Sequence, residues 1–338
     1  MKTFATAGAP HLPAPVAVRR VMHDVLLALL PGIAVQLWAF GAGLAIQLAL
    51  AVASALAIEA LALRLRGREA ARALGDGSAL VTAVLFALCI APLAPWWIAP
   101  VAMLVAIGLV KQIYGGLGYN LFNPAMAGYA VVLLAFPRLV AQWPGAAVDL
   151  ATAARTIFGA TPTAQWDSIA SATPLDALRQ LAAQGQRLPE IGAAALFRHS
   201  RPEVWTWAAG AWLLGGGYLL WRRVIGWQAP VGVIAAVCLL TLPFWLLDAE
   251  RHPSPLQHLA SGGLMFAAWF VVTDPVSGCT SPRGRLLFGA GVAVLTLAIR
   301  RWGHIPDGIA FAVLLMNAAA PLLDRMTRPR IYGHGRHG

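Results

Sequence analysis

Charge is scarce in this 338-residue sequence: 12% of its residues are charged and 59% are hydrophobic, with a mean hydropathy of +0.69. A water-soluble chain of this size could not bury so much apolar surface, so its solvent is a bilayer. Cysteine is scarcer still. Cys89, Cys238 and Cys279, two of them in apolar runs, support neither a disulfide framework nor an iron–sulfur cluster held by this chain alone. No apolar region precedes Val21, so no cleavable signal peptide is expected. There is no nucleotide-phosphate loop, no Ser/His/Asp constellation and no zinc-ligand spacing. The histidines are scattered, apart from His334 and His337 in a Gly-rich tail, and no metal site is expected. The net charge of +11 does not signal nucleic acid, because the Arg residues sit in short clusters between apolar runs, where topology needs them.

What is present is a set of ten apolar stretches: residues 22–43, 44–65, 78–93, 95–112, 123–140, 204–221, 229–248, 257–273, 285–301 and 306–323. Several fall short of the roughly 20 residues a straight spanning helix needs, and these are interrupted by Gly or Pro. Backbone freed by such a break survives at depth only where protein or a cavity satisfies it. Residues 114–124 (YGGLGYNLFNP) therefore read as a packed re-entrant or half-helix feature, with a plain interhelix turn as the alternative. With the N-terminus inside, the cytoplasmic connections hold sixteen Lys and Arg residues, and the short outer ones hold only Arg251, Arg300 and Arg301. That is the positive-inside asymmetry. Arg300 and Arg301 are expected to snorkel from their helix end. Both termini then face the cytoplasm and the long central polar segment faces the periplasm.

A faint internal repeat divides the chain. Pro124 followed by residues 129–134 resembles Pro306 followed by residues 311–316, and Ser78-Ala79-Leu80 echoes Ser261-Gly262-Gly263-Leu264. Five plus five spans force corresponding members into opposite orientations, an arrangement that puts sites between the halves. The expected fold is an all-α integral membrane protein of about ten transmembrane helices in two inverted five-helix halves, with a long periplasmic loop between them. Its parts are a cytoplasmic N-terminus (1–21), a first membrane half (22–140), a periplasmic loop (141–203), a second membrane half (204–323) and a cytoplasmic tail (324–338).

Chemistry is expected on the loop, around Asp167-Ser168-Ile169-Ala170-Ser171-Ala172-Thr173-Pro174-Leu175. Thr173 reads as a helix N-cap, followed by Pro174 in the first helical position and Asp176 in the third, where its charge suits the helix dipole. The same hydroxyl is placed to carry a phosphoester-linked group, because a helix N-terminus offers free N–H donors to phosphate. The two roles compete for one oxygen. Acids in the membrane or at its edge are Asp24, Glu59, Asp274, Asp307 and Asp324. Glu59 lies within reach of Arg64 or Arg66, which reads as a snorkelling ion pair. Asp274 reads either as a functional acid at depth or as a membrane-exit residue.

Several motifs now line up in order. They include Pro10-His11, Val18-Arg19-Arg20-Val21-Met22, Leu30-Pro31-Gly32, residues 76–83, and Pro92-Leu93-Ala94-Pro95-Trp96-Trp97. Phe122-Asn123-Pro124-Ala125-Met126, residues 266–270, Thr273-Asp274-Pro275-Val276, Gly284-Arg285 and residues 308–315 complete the set. Over nearly its whole length the chain resembles the D subunits of Rnf electron-transport complexes, and it is similar, more distantly, to the B subunits of sodium-pumping Nqr complexes. The resemblance implies FMN attached through its phosphate to the Thr of a D-G-x-[ST]-G-A-T-type motif, installed from FAD by a dedicated flavin transferase. The matching positions are 167–173. Asp167, Ala172 and Thr173 agree, whereas Ser168 and Ser171 replace Gly and Ala170 replaces a hydroxyl residue. A second, non-covalent flavin (riboflavin or FMN) is also implied within the membrane part. Segments 114–124 and 273–281, with Asn120, Asn123 and Asp274, are the candidates for lining it or an ion path. The implied protein is a bacterial inner-membrane flavoprotein subunit, surrounded by lipid, that couples electron flow to Na+ or H+ translocation beside Rnf-type A, B, C, E and G subunits. The rival reading is an inverted-repeat transporter or channel with no redox centre.

Overall fold

The computed structural model describes residues 17–68, 74–159, 170–171, 173–188, 190, 202–303 and 305–328. Helix α1 (Val18–Phe40) turns into α2 (Ala42–Leu65) through Gly41 alone. The φ of +81° at Gly41 permits the reversal, and Val148 ties it by accepting from Ala42 N–H and donating to the Phe40 carbonyl. Then come α3 (Ser78–Ala87), α4 (Ile98–Ile113, π-helical from Leu104) and α5 (Pro124–Ala135). The central segment contributes α6 (Pro137–Ala141), α7 (Leu150–Phe158) and α8 (Pro174–Ala183). It also carries a short antiparallel pair of β1 (Trp143–Pro144) with β2 (Ala170–Ser171). The rest is α9 (Pro202–Trp221), α10 (Gln228–Leu247), α11 (Pro255–Ala260), α12 (Leu264–Phe266, continuing as the π-helix Ala267–Val271), α13 (Pro282–Trp302) and α14 (Ile309–Thr327).

Helix is found in every one of the ten apolar stretches. Among the described residues, α1, α2, α10, α13 and α14 are long and apolar enough to cross a membrane. The shorter α3 and α12 occupy the interior: nine of ten residues in α3 and all of α12 are buried. Their placement follows from hydrogen bonding. A helix that stops within a membrane leaves N–H or C=O groups without intrahelical partners, and only surrounding protein can supply others. The long helices wrap around them, with Trp38, Leu239 and Leu247 on the outer surface.

The first five apolar stretches meet the last five through α1 on α9 and α5 on α14, while α2 packs on α4 and α10 on α13. Lipid tails are as apolar as leucine, so close van der Waals contact carries such pairs. Gly32 lies under the Trp212 ring, Gly215 meets the Ala28 carbonyl, and Gly232 and Gly289 each face a carbonyl of the opposite helix.

The heads of α3 and α12 share a design. Each follows a left-handed glycine, Gly77 at φ +80° and Gly262 at φ +67°, and each is held by a buried cation. Lys111 Nζ donates to Ser78 Oγ at 2.6 Å and pairs with Glu59. Arg300 donates to the Ser261 carbonyl at 3.0 Å and pairs with Asp307 at 3.3 Å. Two expectations are corrected here. Arg300 does not snorkel: its side chain is 5% exposed, because backbone carbonyls and Asp307 satisfy it inside the protein. Glu59 does not pair with Arg64 or Arg66. It accepts from Lys111 and Gln112, while Arg66 turns to Gln112 and the Gly115 carbonyl.

Candidate functional site

Thr173 is positioned from both sides. Upstream, β2 pairs with β1, so Ser171 lies opposite Trp143 and Ala170 opposite Pro144. Downstream, Arg179 of α8 donates to the Ile305 carbonyl at 2.8 Å, which fastens the helix to the α13–α14 connection. Between these anchors Thr173 caps α8: its Oγ1 accepts from Asp176 N–H at 3.2 Å and donates to Asp176 Oδ2 at 2.6 Å. Burial holds the Asp176 carboxyl above the usual carboxylate range, and nearby Asp307 adds to this, while the Thr173 hydrogen bonds and Arg179 oppose it.

Thr173 and Asp176 line a partly open cavity between residues of the first five and the last five apolar stretches. Trp143, Trp205, Trp212, Phe266 and Tyr129 line it. The aromatic rings brace one another: Trp143 and Trp205 centroids are 5.3 Å apart, and Trp212 and Phe266 centroids 5.0 Å. Gln36 also lines this space, and its buried Oε1 has no hydrogen-bond partner. The arrangement offers flat apolar walls, a spare acceptor and a lining hydroxyl.

A second, partly open cavity brings together Asn120, Asn123 and Asp274. Asn123 caps α5 through Met126 N–H, donates its own N–H to Asn317 and donates its side-chain amide to Asp274 Oδ2 at 3.3 Å. Asp274 also accepts from Ser277 Oγ at 2.7 Å and Val276 N–H at 3.0 Å. Residues 114–123 form turns with no helix of their own; positive φ at Gly115, Gly116 and Gly118 folds them so that Asn120 and Asn123 are buried. The other acids are paired as well: Asp24 with Tyr218 and Arg222, and Asp324 with Thr280 and Ser281.

Asp167 and Ala172 lie outside the described residues, and only the backbone of Ser171 is described. Sequence reasoning missed Lys111, Ser78 and Trp269, which also line the Asp274 cavity. Trp269 Nε1 is a buried donor without a partner. By sequence Lys111 is no more than a cytoplasmic loop cation. The available signal was that Lys111 directly follows the apolar run Leu104–Val110 in a chain whose other basic residues, Lys2 apart, are all arginine.

The profile of the NQR2, RnfD, RnfE family matches residues 5–333. A Pseudomonas paraeruginosa protein, named as the D subunit of an ion-translocating oxidoreductase complex, is 48% identical over 336 residues, covering 98% of this chain and 96% of its own length. The Shewanella denitrificans protein of the same name is 45% identical over 344 residues, covering 98% of each. That of Ectopseudomonas mendocina is 48% identical over 331 residues, covering 96% of this chain and 94% of its own.

Proposed function

The chain belongs to the NQR2, RnfD, RnfE family, and we propose that it is the D subunit of an Rnf-type ion-translocating oxidoreductase, carrying FMN esterified to Thr173. In this reading it spans the bacterial inner membrane ten times, in two inverted halves (22–140 and 204–323). Segments 1–21 and 324–338 are cytoplasmic and 141–203 is periplasmic. The observation that carries the proposal is the position of Thr173, at a helix N-terminus and lining an aromatic-walled cavity. The tryptophans and Phe266 suit a flat ring, and the unpartnered Gln36 Oε1 suits an N–H on its polar edge. The α8 N-terminus favours the phosphate, and the ester keeps the group at a fixed site.

When bound, the flavin supplies the redox chemistry; the protein supplies position, polarity and exclusion of water. Asn120, Asn123 and Asp274 are proposed to serve a second, non-covalent flavin or the ion path, since they share one cavity with the unpartnered Trp269 Nε1 donor. Moving one ion charge against 100 mV requires about 2.3 kcal/mol, and coupling to Na+ or H+ would use redox partners, the Rnf-type A, B, C, E and G subunits. A flavin transferase would complete the set. A redox-free transporter or channel is the rival, favoured by one observation: the cap already employs the Thr173 hydroxyl without a ligand. Fluorescence on a denaturing gel separates the two. A flavin band that disappears in Thr173→Ala supports the ester, and a dark wild-type band after co-production with the transferase supports the rival.

A further inference from the structure

A paired helix cap of the usual kind has a side chain at the third helical position that reaches back to the N–H of the cap residue. This chain contains one at the head of α11. Ser254 N–H donates to Gln257 Oε1 at 2.8 Å, and Ser254 Oγ accepts from Gln257 N–H at 3.2 Å. The head of α8 adds a contact to that pattern, the Asp176 carboxyl interacting with the Thr173 backbone and also with its hydroxyl. Thr173 Oγ1 accepts from Asp176 N–H in the same way, and the hydroxyl in turn donates a hydrogen bond to Asp176 Oδ2 at 2.6 Å. A hydroxyl held between a donor and a carboxylate has the geometry of a nucleophile with its base. Both side chains line the cavity.

We propose that Asp176 is the general base that activates Thr173 for attachment of the flavin phosphate, an inference that rests on the flavin reading above. The donor is a flavin dinucleotide presented by the transferase. Thr173 Oγ1 attacks the phosphorus on the flavin side, and the Oγ1–P bond forms. The bond from that phosphorus to the bridging pyrophosphate oxygen breaks, and AMP leaves with the electron pair. The Thr173 proton passes to Asp176, and nothing is oxidised or reduced. The charged and titratable groups around the carboxyl are Arg179 on its own helix, Asp307 (paired with Arg300) from the α13–α14 connection, and Tyr129 of α5. Burial raises the carboxyl above the ordinary aspartate range, which makes its ionised form a stronger base.

The test uses the full-length chain, produced without transferase and then incubated with purified transferase and FAD across a pH series. Covalent flavin is followed by gel fluorescence and peptide mass. Asp176→Asn keeps an acceptor for the hydroxyl but removes the basicity, and Asp176→Glu keeps a carboxylate; thermal unfolding checks both folds. The wild-type rate divided by the Asp176→Asn rate cancels the transferase's own pH dependence. That ratio is expected to approach one in acid, where Asp176 is protonated, and to rise to about a hundredfold at neutral pH. Asp176→Glu should stay within several-fold of wild type. A ratio near one at every pH, or a Glu variant as slow as the Asn variant, overturns the inference. Wild-type chain that takes up no flavin sinks the flavin reading, and this inference with it, whatever the variants do.

Discussion

The Thr173 cavity and the Asp274 cavity are lined by comparable pieces of helix. Each is lined by the head of one broken helix, the tail of the other and the head of a fifth helix: Gly262, Cys89 and Ile309 in one, Ser78, Asp274 and Pro124 in the other. Their fittings differ. In the Thr173 cavity Arg300 is turned away, bound to carbonyls and to Asp307, and the wall is aromatic beneath a helix from the central segment. In the Asp274 cavity Lys111 itself lines the space, with two of its three donors used by Glu59 and Ser78. A shared frame fixes where the cavities are, and the side chains added to it differ: a capped hydroxyl among aromatic rings in one, asparagines, an aspartate and a lysine in the other.

Thr173→Ala should break the comparison most completely. Covalent flavin falls to nothing, while flavin extractable from the native protein into acid stays at the wild-type level; loss of both would join the two cavities into one site. Next in size is Lys111→Met, which strands Glu59, whose side chain is 2% exposed. Removing one partner of a buried pair costs about 3–5 kcal/mol, and denaturant unfolding in detergent should register that loss. Arg300→Met should cost less, because Asp307 is 19% exposed and keeps a backbone donor in Gly263. Equal losses would erase the distinction between the two cations. Smaller again is the glycine pair. Gly77→Ala should cost about 1 kcal/mol for its left-handed backbone, with Met22 Cβ at 3.3 Å as the nearest neighbour. Gly262→Ala should cost more, because the added methyl meets Asp307 Oδ2 at 2.7 Å and Arg300 Nη2 at 2.8 Å.

How far the sequence disclosed this depended on whether the signal was local. Apolar run length and Gly or Pro breaks are local, and helix occurs in all ten stretches. Thr-Pro-x-Asp is likewise a local rule, and the cap on α8 follows it. Pairing across 52 residues between Glu59 and Lys111 is not local, and charge proximity along the chain points to the wrong arginines. Arg300 escapes for a related reason: the positive-inside rule counts charges by loop and does not see that a broken helix presents carbonyls for a buried guanidinium. Glycine breaks and an acid at depth single out Asn120, Asn123 and Asp274, and the fold brings them into one cavity. In sequence Asp176 is a dipole-matching charge; only the geometry of its hydrogen bond to Thr173 separates it from the ordinary cap at Ser254.

The most direct measurement is the mass of the tryptic peptide spanning residues 156–179, taken from chain produced together with the flavin transferase. One FMN joined with loss of water, and absent from the same peptide of Thr173→Ala, is the expected result. An unmodified peptide in a preparation where the transferase demonstrably acts on another acceptor would leave Thr173 as a helix cap and nothing more.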